Sequence, residues 1–260
     1  MTRAHLLLLA ILFFMQQCTG GAPSQPGTEP MDHQRWSTLL QKHVQEHGLV
    51  DYRGFAKDST ALNAYLAQLV ANAPNEKSWS ESDQIAYWIN AYNAFTIKLV
   101  MDHYPVPSIK DIGSSVQIPF VNTPWDIKFI EINGTKLDLN NIEHDILRKK
   151  FVEPRIHFAI NCASISCPAL RREAYTGDKL EKQLQAQAIA FINDHSKNDI
   201  RADKAEISRI FRWFKGDFIS NNRSLREYLN LFAEVPVADG VEISFMDYDW
   251  SLNEAGVRRD

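Results

Sequence analysis

The sequence predicts an α+β fold, a mainly helical single domain with a small, largely antiparallel sheet. Three observations predict it. Apolar residues recur at helical spacing through much of the 260-residue chain, the pattern of helices with one buried face. Near Asn133-Gly134 the period drops to two, as in half-buried strands around a tight turn. No internal repeat and no second linker interrupts the chain after residue 32, so residues 33–254 read as one globular domain, long enough to bury a sizeable core.

The N-terminal elements read differently. Arg3 precedes an apolar run, Leu6 to Met15, of roughly ten residues, where a bilayer span takes about twenty. Residues 1–18 therefore read as a signal peptide, of lipoprotein type if Cys18 is acylated after cleavage. Gln17 stands where a small residue is usual before such a cysteine. Export would place the protein in the periplasm or on the outer membrane, with membrane attachment only through a lipid at Cys18. Residues 19–32, rich in Gly, Pro, Ser, Thr and Glu, read as a flexible linker. A net charge of −4 without a basic run argues against nucleic acid as a partner.

In the domain, Trp36, Leu39, Leu40 and Val44 share a helix face that Gly48 stops. "LVDYRGFAKD" reads as a short extended turn, and "STALNAYLAQLVANAP" as a second helix ended by Pro74. The stretch from Ser80 to Pro105 opens with a capping-box-like Ser80 and Asp83. It is apolar on most sides, so its helix is buried, and Asn90 and Asn93 inside it must be hydrogen-bonded. They tie down a crossing loop, or they face a site and orient a ligand. "WDIKFIEINGTKLDL" follows as a hairpin. "NNIEHDILRKKF" is then a helix with Asn140 as N-cap and Glu143 at N3, and "RIHFAIN" is a strand. "DKLEKQLQAQAIAFIND", "RIFRWFKGDFI" and "SLREYLNLFA" are helical, and "VEISFMDYDWSLN" closes the chain.

Chemistry concentrates in "HFAINCASISCPAL". A strand over "RIHFAIN" puts His157 and Asn161 on one face. Pro168 suits the first turn of a helix, with Cys167 at its N-cap. Backbone N–H groups, Arg171 and Arg172 would lower the thiol pKa of Cys167 there. Glu143, His144 and Arg148 lie together on the preceding helix. Four readings of Cys162 and Cys167 stay open: a short-loop disulfide, a nucleophilic or redox thiol, a metal site with His157 or His144, or buried thiols. The C-x4-C spacing lacks the usual close ligand spacing of metal sites, so no metal and no cofactor is assigned.

"YWINAYNAFTIKLV", "IEHDILR", "HFAINCASISCPAL", "IFRWFKGDF" and "DYDWSLN" together resemble domain-of-unknown-function family 547, a set of exported bacterial proteins and lipoproteins with plant relatives. The resemblance runs from about Trp36 to Asn253 and implies no mechanism. Its motif positions here are Asn90, Asn93, Glu143, His144, Arg148, His157, Asn161, Cys162, Ser166, Cys167 and Asp217. Asp217 is as readily a structural acid as a site residue.

The leading expectation is an exported thiol-dependent hydrolase or transferase. Its catalytic candidates are Cys167, Cys162, His157 and His144. Asn90, Asn93, Glu143, Arg148, Asn161 and Ser166 are the substrate-binding candidates. The alternative is a non-catalytic module with a Cys162–Cys167 disulfide that binds a small molecule or a protein. A metal-binding domain is a weaker third.

Overall fold

A computed structural model describes residues 28–118, 121–219 and 223–257. The expected signal peptide, Cys18 and most of the linker lie outside the described residues. The fold is mainly helical α+β, as the periodicity predicts, although the strands among the described residues form two small sheets rather than one. No helix among the described residues is long and apolar enough to cross a membrane.

Helix α1 (Gln34–His43) buries Trp36, Leu39 and Leu40. It ends before Gly48, which lies in a following turn with a φ of 74°. A Cβ there would stand 2.5 Å from Ala169 Cα and collide with the Leu170 amide nitrogen. Gly48 thus admits the loop that follows the cysteines. "LVDYRGFAKD" is helical, not extended: α2 (Tyr52–Lys57) starts where Asp51 accepts the Gly54 amide at 2.8 Å. Helix α3 (Ser59–Ala71) packs beside α1, with Trp36 stacked on Tyr65 at 5.4 Å between ring centres.

Helix α4 (Glu81–His103) is the spine of the domain. Ser80 caps it by accepting the Asp83 amide, as expected. It is buried on nearly all sides, and the two internal asparagines bind backbone. Asn90 donates to Tyr175 O at 2.7 Å and accepts from Tyr175 N at 3.0 Å. Asn93 donates to Ala159 O at 3.0 Å and accepts from Asn161 N at 2.8 Å. Both amides thus tie down crossing backbone. Asn93→Ala strands a buried carbonyl and a buried N–H, so we expect about 2 kcal/mol of lost stability in urea unfolding.

Strands β1 (Ile130–Ile132) and β2 (Thr135–Leu137) pair antiparallel around Asn133 and Gly134, both with positive φ, as a type I′ turn requires. Next comes a π-helical segment, Asn141–Leu147, which runs into α5 (Arg148–Lys150). Asn140 is not its cap, since its own backbone is helical and its side chain makes no cap bond. Asp138 does this work, accepting the Asn141 amide at 2.7 Å. The wide turn is closed by the Arg148 amide donating to Glu143 O, a spacing found frequently at functional sites.

"RIHFAIN" is not a strand. Its centre is one helical turn, α6 (Ile156–Ala159). A short apolar run does not tell strand from buried helix, and here one turn serves two cores. Ile156 joins the core of α1–α4, and Phe158 joins an aromatic one with Phe191, Phe211, Phe218 and Tyr228. Nor is "PALRREAY" a helix, so Cys167 caps nothing. Its carbonyls are bound instead by side chains of the helices it crosses: Ala169 O by Gln187, Ala174 O by Gln183 and Tyr175 O by Asn90.

Helix α7 (Leu180–Ile192) follows. Strands β3 (Asp199–Arg201) and β4 (Lys204–Ile207) pair antiparallel, and β5 (Ile243–Phe245) adds to β4 in parallel. "RIFRWFKGDFI" is broken at Phe214 into α8 (Ile210–Trp213) and α9 (Lys215–Phe218), before α10 (Leu225–Leu229). The C-terminal stretch then stitches three distant loops together through bridges Ser108–Ser251, Ser164–Leu252 and Val50–Glu254. Tyr52 adds a hydrogen bond to Asn253 Oδ1 at 2.7 Å.

Candidate functional site

A cleft of about 640 Å³ opens where the π-helical segment, α6, the cysteine loop, the α8–α9 break and the C-terminal stretch meet. One side of it is aromatic. Trp213, Tyr248 and Trp250 pack on one another, with 4.6 Å between the rings of Tyr248 and Trp250, and Trp125 stands edge-on to Trp250 at 5.7 Å. The acidic residues alternating with Tyr248 and Trp250 leave both rings on the cleft face. Lys110 sits over Trp250, and the Arg148 guanidinium over Phe214.

The other side is a cluster of titratable side chains. Arg148 grips Asp217 with two hydrogen bonds, Nε to Oδ2 at 2.6 Å and Nη2 to Oδ1 at 3.0 Å, the bidentate geometry that guanidinium and carboxylate share. Burial alone would raise the pKa of Asp217, but the hydrogen bonds from His157 and Arg148 outweigh it and hold the carboxyl well below the usual range. An ionised carboxylate only accepts. His157 therefore donates Nε2–H to Asp217 Oδ2 at 2.7 Å, its ring fixed by stacking on Phe214 at 4.0 Å. Burial lowers the His157 pKa against the pull of Asp217. The neutral ring keeps a lone pair on Nδ1, and Nδ1 has no hydrogen-bond partner among the described residues. A buried unpaired nitrogen costs about 1–3 kcal/mol.

Nδ1 faces Glu143 Oε1 across 4.0 Å. Burial is the main reason the Glu143 pKa rises to about 7, against the attraction of Arg148 and a hydrogen bond from Tyr92. The lining of one cleft thus holds a neutral imidazole with an unpaired lone pair and a carboxyl poised near neutrality, the pairing that acid–base chemistry needs. His144 has a different task. Its Nδ1 accepts from Arg148 Nη1 at 2.8 Å, and burial lowers its pKa, so it positions the guanidinium.

Cys162 and Cys167 are joined in a disulfide with Cα atoms 6.2 Å apart, and both line the cleft. Of the four readings of this pair the bridge is the one observed, and in this state neither sulfur is a nucleophile. Between them Ala163 holds a φ of 63°, uncommon without glycine, with its amide bound to Asn161 Oδ1 at 2.8 Å.

Of the sequence candidates, Glu143, His144, Arg148, His157, Cys162 and Cys167 meet in the cleft. Asn90, Asn93, Asn161 and Ser166 do not line it. Asn161 binds Pro168 O and the Ala163 amide, and Ser166 accepts the Asp249 amide. His157 and Asn161 share no strand face, because α6 turns them apart. The sequence reading left Asp217 undecided and missed Tyr92, Trp125, Trp213, Phe214, Tyr248 and Trp250. Trp213, at 45% exposure, illustrates why: period-based reading treats an aromatic as core.

Residues 76–192 match the family model described as "Protein of unknown function, DUF547", which supports the resemblance seen in the motifs. No curated protein and no solved structure matches the chain.

Proposed function

We propose that this protein is a hydrolase or transferase in which His157 Nδ1 is the general base and Glu143 the general acid. The observation that carries this is the buried, unpartnered Nδ1 of an imidazole whose other nitrogen is held by Asp217. It leaves a lone pair fixed in the wall of a cleft, 4.0 Å from Glu143 Oε1, for an incoming molecule to meet. Asp217 sets the tautomer, Arg148 and His144 hold Asp217, and the base takes a proton from water or a substrate hydroxyl. Tyr92, which bonds Glu143, and the Trp213/Tyr248/Trp250 wall would seat a substrate with a flat or apolar body. A cysteine nucleophile plays no part in this scheme while the bridge is closed.

A second reading, a module that binds such a molecule without turning it over, draws on the same aromatic wall and on Lys110 and Arg148 beside it. The Cys162–Cys167 bridge supports an oxidising compartment. We propose that the protein resides in the periplasm or on the outer membrane through a lipid at Cys18, a reading that the apolar N-terminal run also supports. Intact mass of the membrane-extracted protein checks the lipid.

Activity toward a panel of model ester, amide and glycoside substrates tests the enzyme reading. The base acts unprotonated and the acid protonated. The rate should therefore rise with pH through the lowered His157 pKa and fall again above about 7, as Glu143 ionises. His157→Gln should lower any turnover by about a hundredfold or more. Nitrogen-15 NMR of the imidazole tests the tautomer without a substrate. A proton on Nδ1 at neutral pH would overturn the assignment of His157 as base and leave the binding reading.

A further inference from the structure

We infer that the Cys162–Cys167 bridge is a thiol–disulfide exchange site with Cys162 as the sulfur attacked and Cys167 as the one that leaves. This goes beyond the acid–base reading and does not depend on it.

The two sulfurs stand in unlike surroundings. Cys162 is partly exposed and lines the cleft, whereas Cys167 is 4% exposed. Three donors converge on Cys167 Sγ: the Cys162 amide at 3.0 Å, Ser164 Oγ at 3.3 Å and the Tyr248 hydroxyl at 3.3 Å. A disulfide sulfur is a weak acceptor. A thiolate is a strong one, and hydrogen bonds to an ion are about twice as strong as neutral ones. This constellation is therefore better matched to the reduced state of Cys167 than to the bridge that now occupies it. The two hydroxyls also approach Cys162 Sγ, Ser164 at 3.3 Å and Tyr248 at 3.5 Å, but the amide addresses Cys167 alone. The less hindered sulfur is the one a thiol reaches, and the better stabilised sulfur is the better leaving group.

The step is a substitution at sulfur. A thiolate, from a small-molecule thiol or from the thiol of a partner protein, attacks Cys162 Sγ along the cleft. A new sulfur–sulfur bond forms to Cys162, and the electron pair of the old bond departs on Cys167 Sγ, received by the amide and the two hydroxyls. A second thiolate then attacks the external sulfur of the mixed disulfide and releases Cys162. The two external thiols end as a disulfide, the protein gains two electrons, and the two thiol protons pass to solvent or to the new thiols.

The test equilibrates the purified protein with graded ratios of reduced and oxidised dithiothreitol, traps thiols by alkylation and weighs the peptide carrying both cysteines. Far-ultraviolet circular dichroism runs alongside. We expect the bridge to open reversibly with the fold retained. Tyr248→Phe should shift the equilibrium toward the disulfide by about tenfold, the size of one hydrogen bond to an ion. With oxidised glutathione, Cys167→Ser should form a mixed disulfide at Cys162 at least about tenfold faster than Cys162→Ser forms one at Cys167. If either cysteine variant fails to fold, the dithiothreitol equilibrium of wild type and Tyr248→Phe decides alone. A bridge that opens only with unfolding, capture favouring Cys167, or an equilibrium indifferent to Tyr248→Phe would each overturn the inference. A glutathione arm beside the dithiol arm separates a small-molecule monothiol from a dithiol as the favoured reductant.

Discussion

Glu143→Gln should make the folded protein more stable by about 3 kcal/mol at pH 8 and change it little at pH 4.5. Burial raises the Glu143 pKa from its ordinary 4.5 to about 7, which costs the charged form about 3 kcal/mol relative to the unfolded chain. Between those two values the folded state holds a proton that the unfolded chain has released. The wild type therefore loses stability as pH climbs from 4.5 to about 7 and regains none above it. Glutamine keeps the acceptor for Tyr92 and carries no charge to bury, so this loss disappears. Urea unfolding of both proteins at the two pH values measures it. A gain of the same size at both would show that packing, not ionisation, is responsible. The predicted trade is stability for function: the variant that folds better should lose the alkaline limb of any pH–rate profile together with most of its rate, as expected where a site is kept strained for its chemistry.

Gly48→Ala should cost about 4 kcal/mol, from the positive φ that alanine resists and from overpacking against backbone that cannot rotate away. The clash falls on Ala169 and Leu170, directly after Cys167-Pro168. The damage should therefore appear at the cleft as well as in the unfolding midpoint. Tryptophan fluorescence of the Trp213/Trp250 wall, followed through a thermal melt, reads both. An alanine variant as stable as wild type would mean that the two loops are not in contact in solution.

The long buried helix was legible because two features agreed. Its apolar residues ran round the whole circumference, and Ser80 and Pro105 marked its ends. The hairpin was legible from Asn133-Gly134 alone, since few sequences other than Asn-Gly take positive φ twice in succession at so little cost. "RIHFAIN" was misread because its alternation came from two cores on opposite sides of one helical turn, a tertiary fact with no local signature. The cleft was half legible. Charged and sulfur-bearing residues announce their chemistry by type, so Glu143, Arg148, His157 and the cysteines were found. Asp217 was undecided because its importance lies in the break at Phe214, which swings it onto His157, and nothing in "FKGDF" foretells that break. The asparagines were ambiguous for a plain reason: a buried amide that pins a loop and one that holds a ligand need the same residue.

The stitching of the C-terminal stretch through Ser251, Leu252 and Glu254 has a consequence for how the protein comes into being. The Tyr52–Asn253 bond joins residues 201 positions apart, and closing so long a loop is a slow step of folding. A nascent chain carries Glu143, His157 and both cysteines well before it carries Tyr248 and Trp250. Until those last residues arrive the cleft lacks a wall, the cysteine loop lacks its clamp, and the two sulfurs are open to whatever pairs or parts them. The span that matches the family model, residues 76–192, ends before Asp217 as well. Produced by itself, that fragment would hold His157 without the Asp217 carboxylate that orients it, and we expect it to be a poor stand-in for the protein.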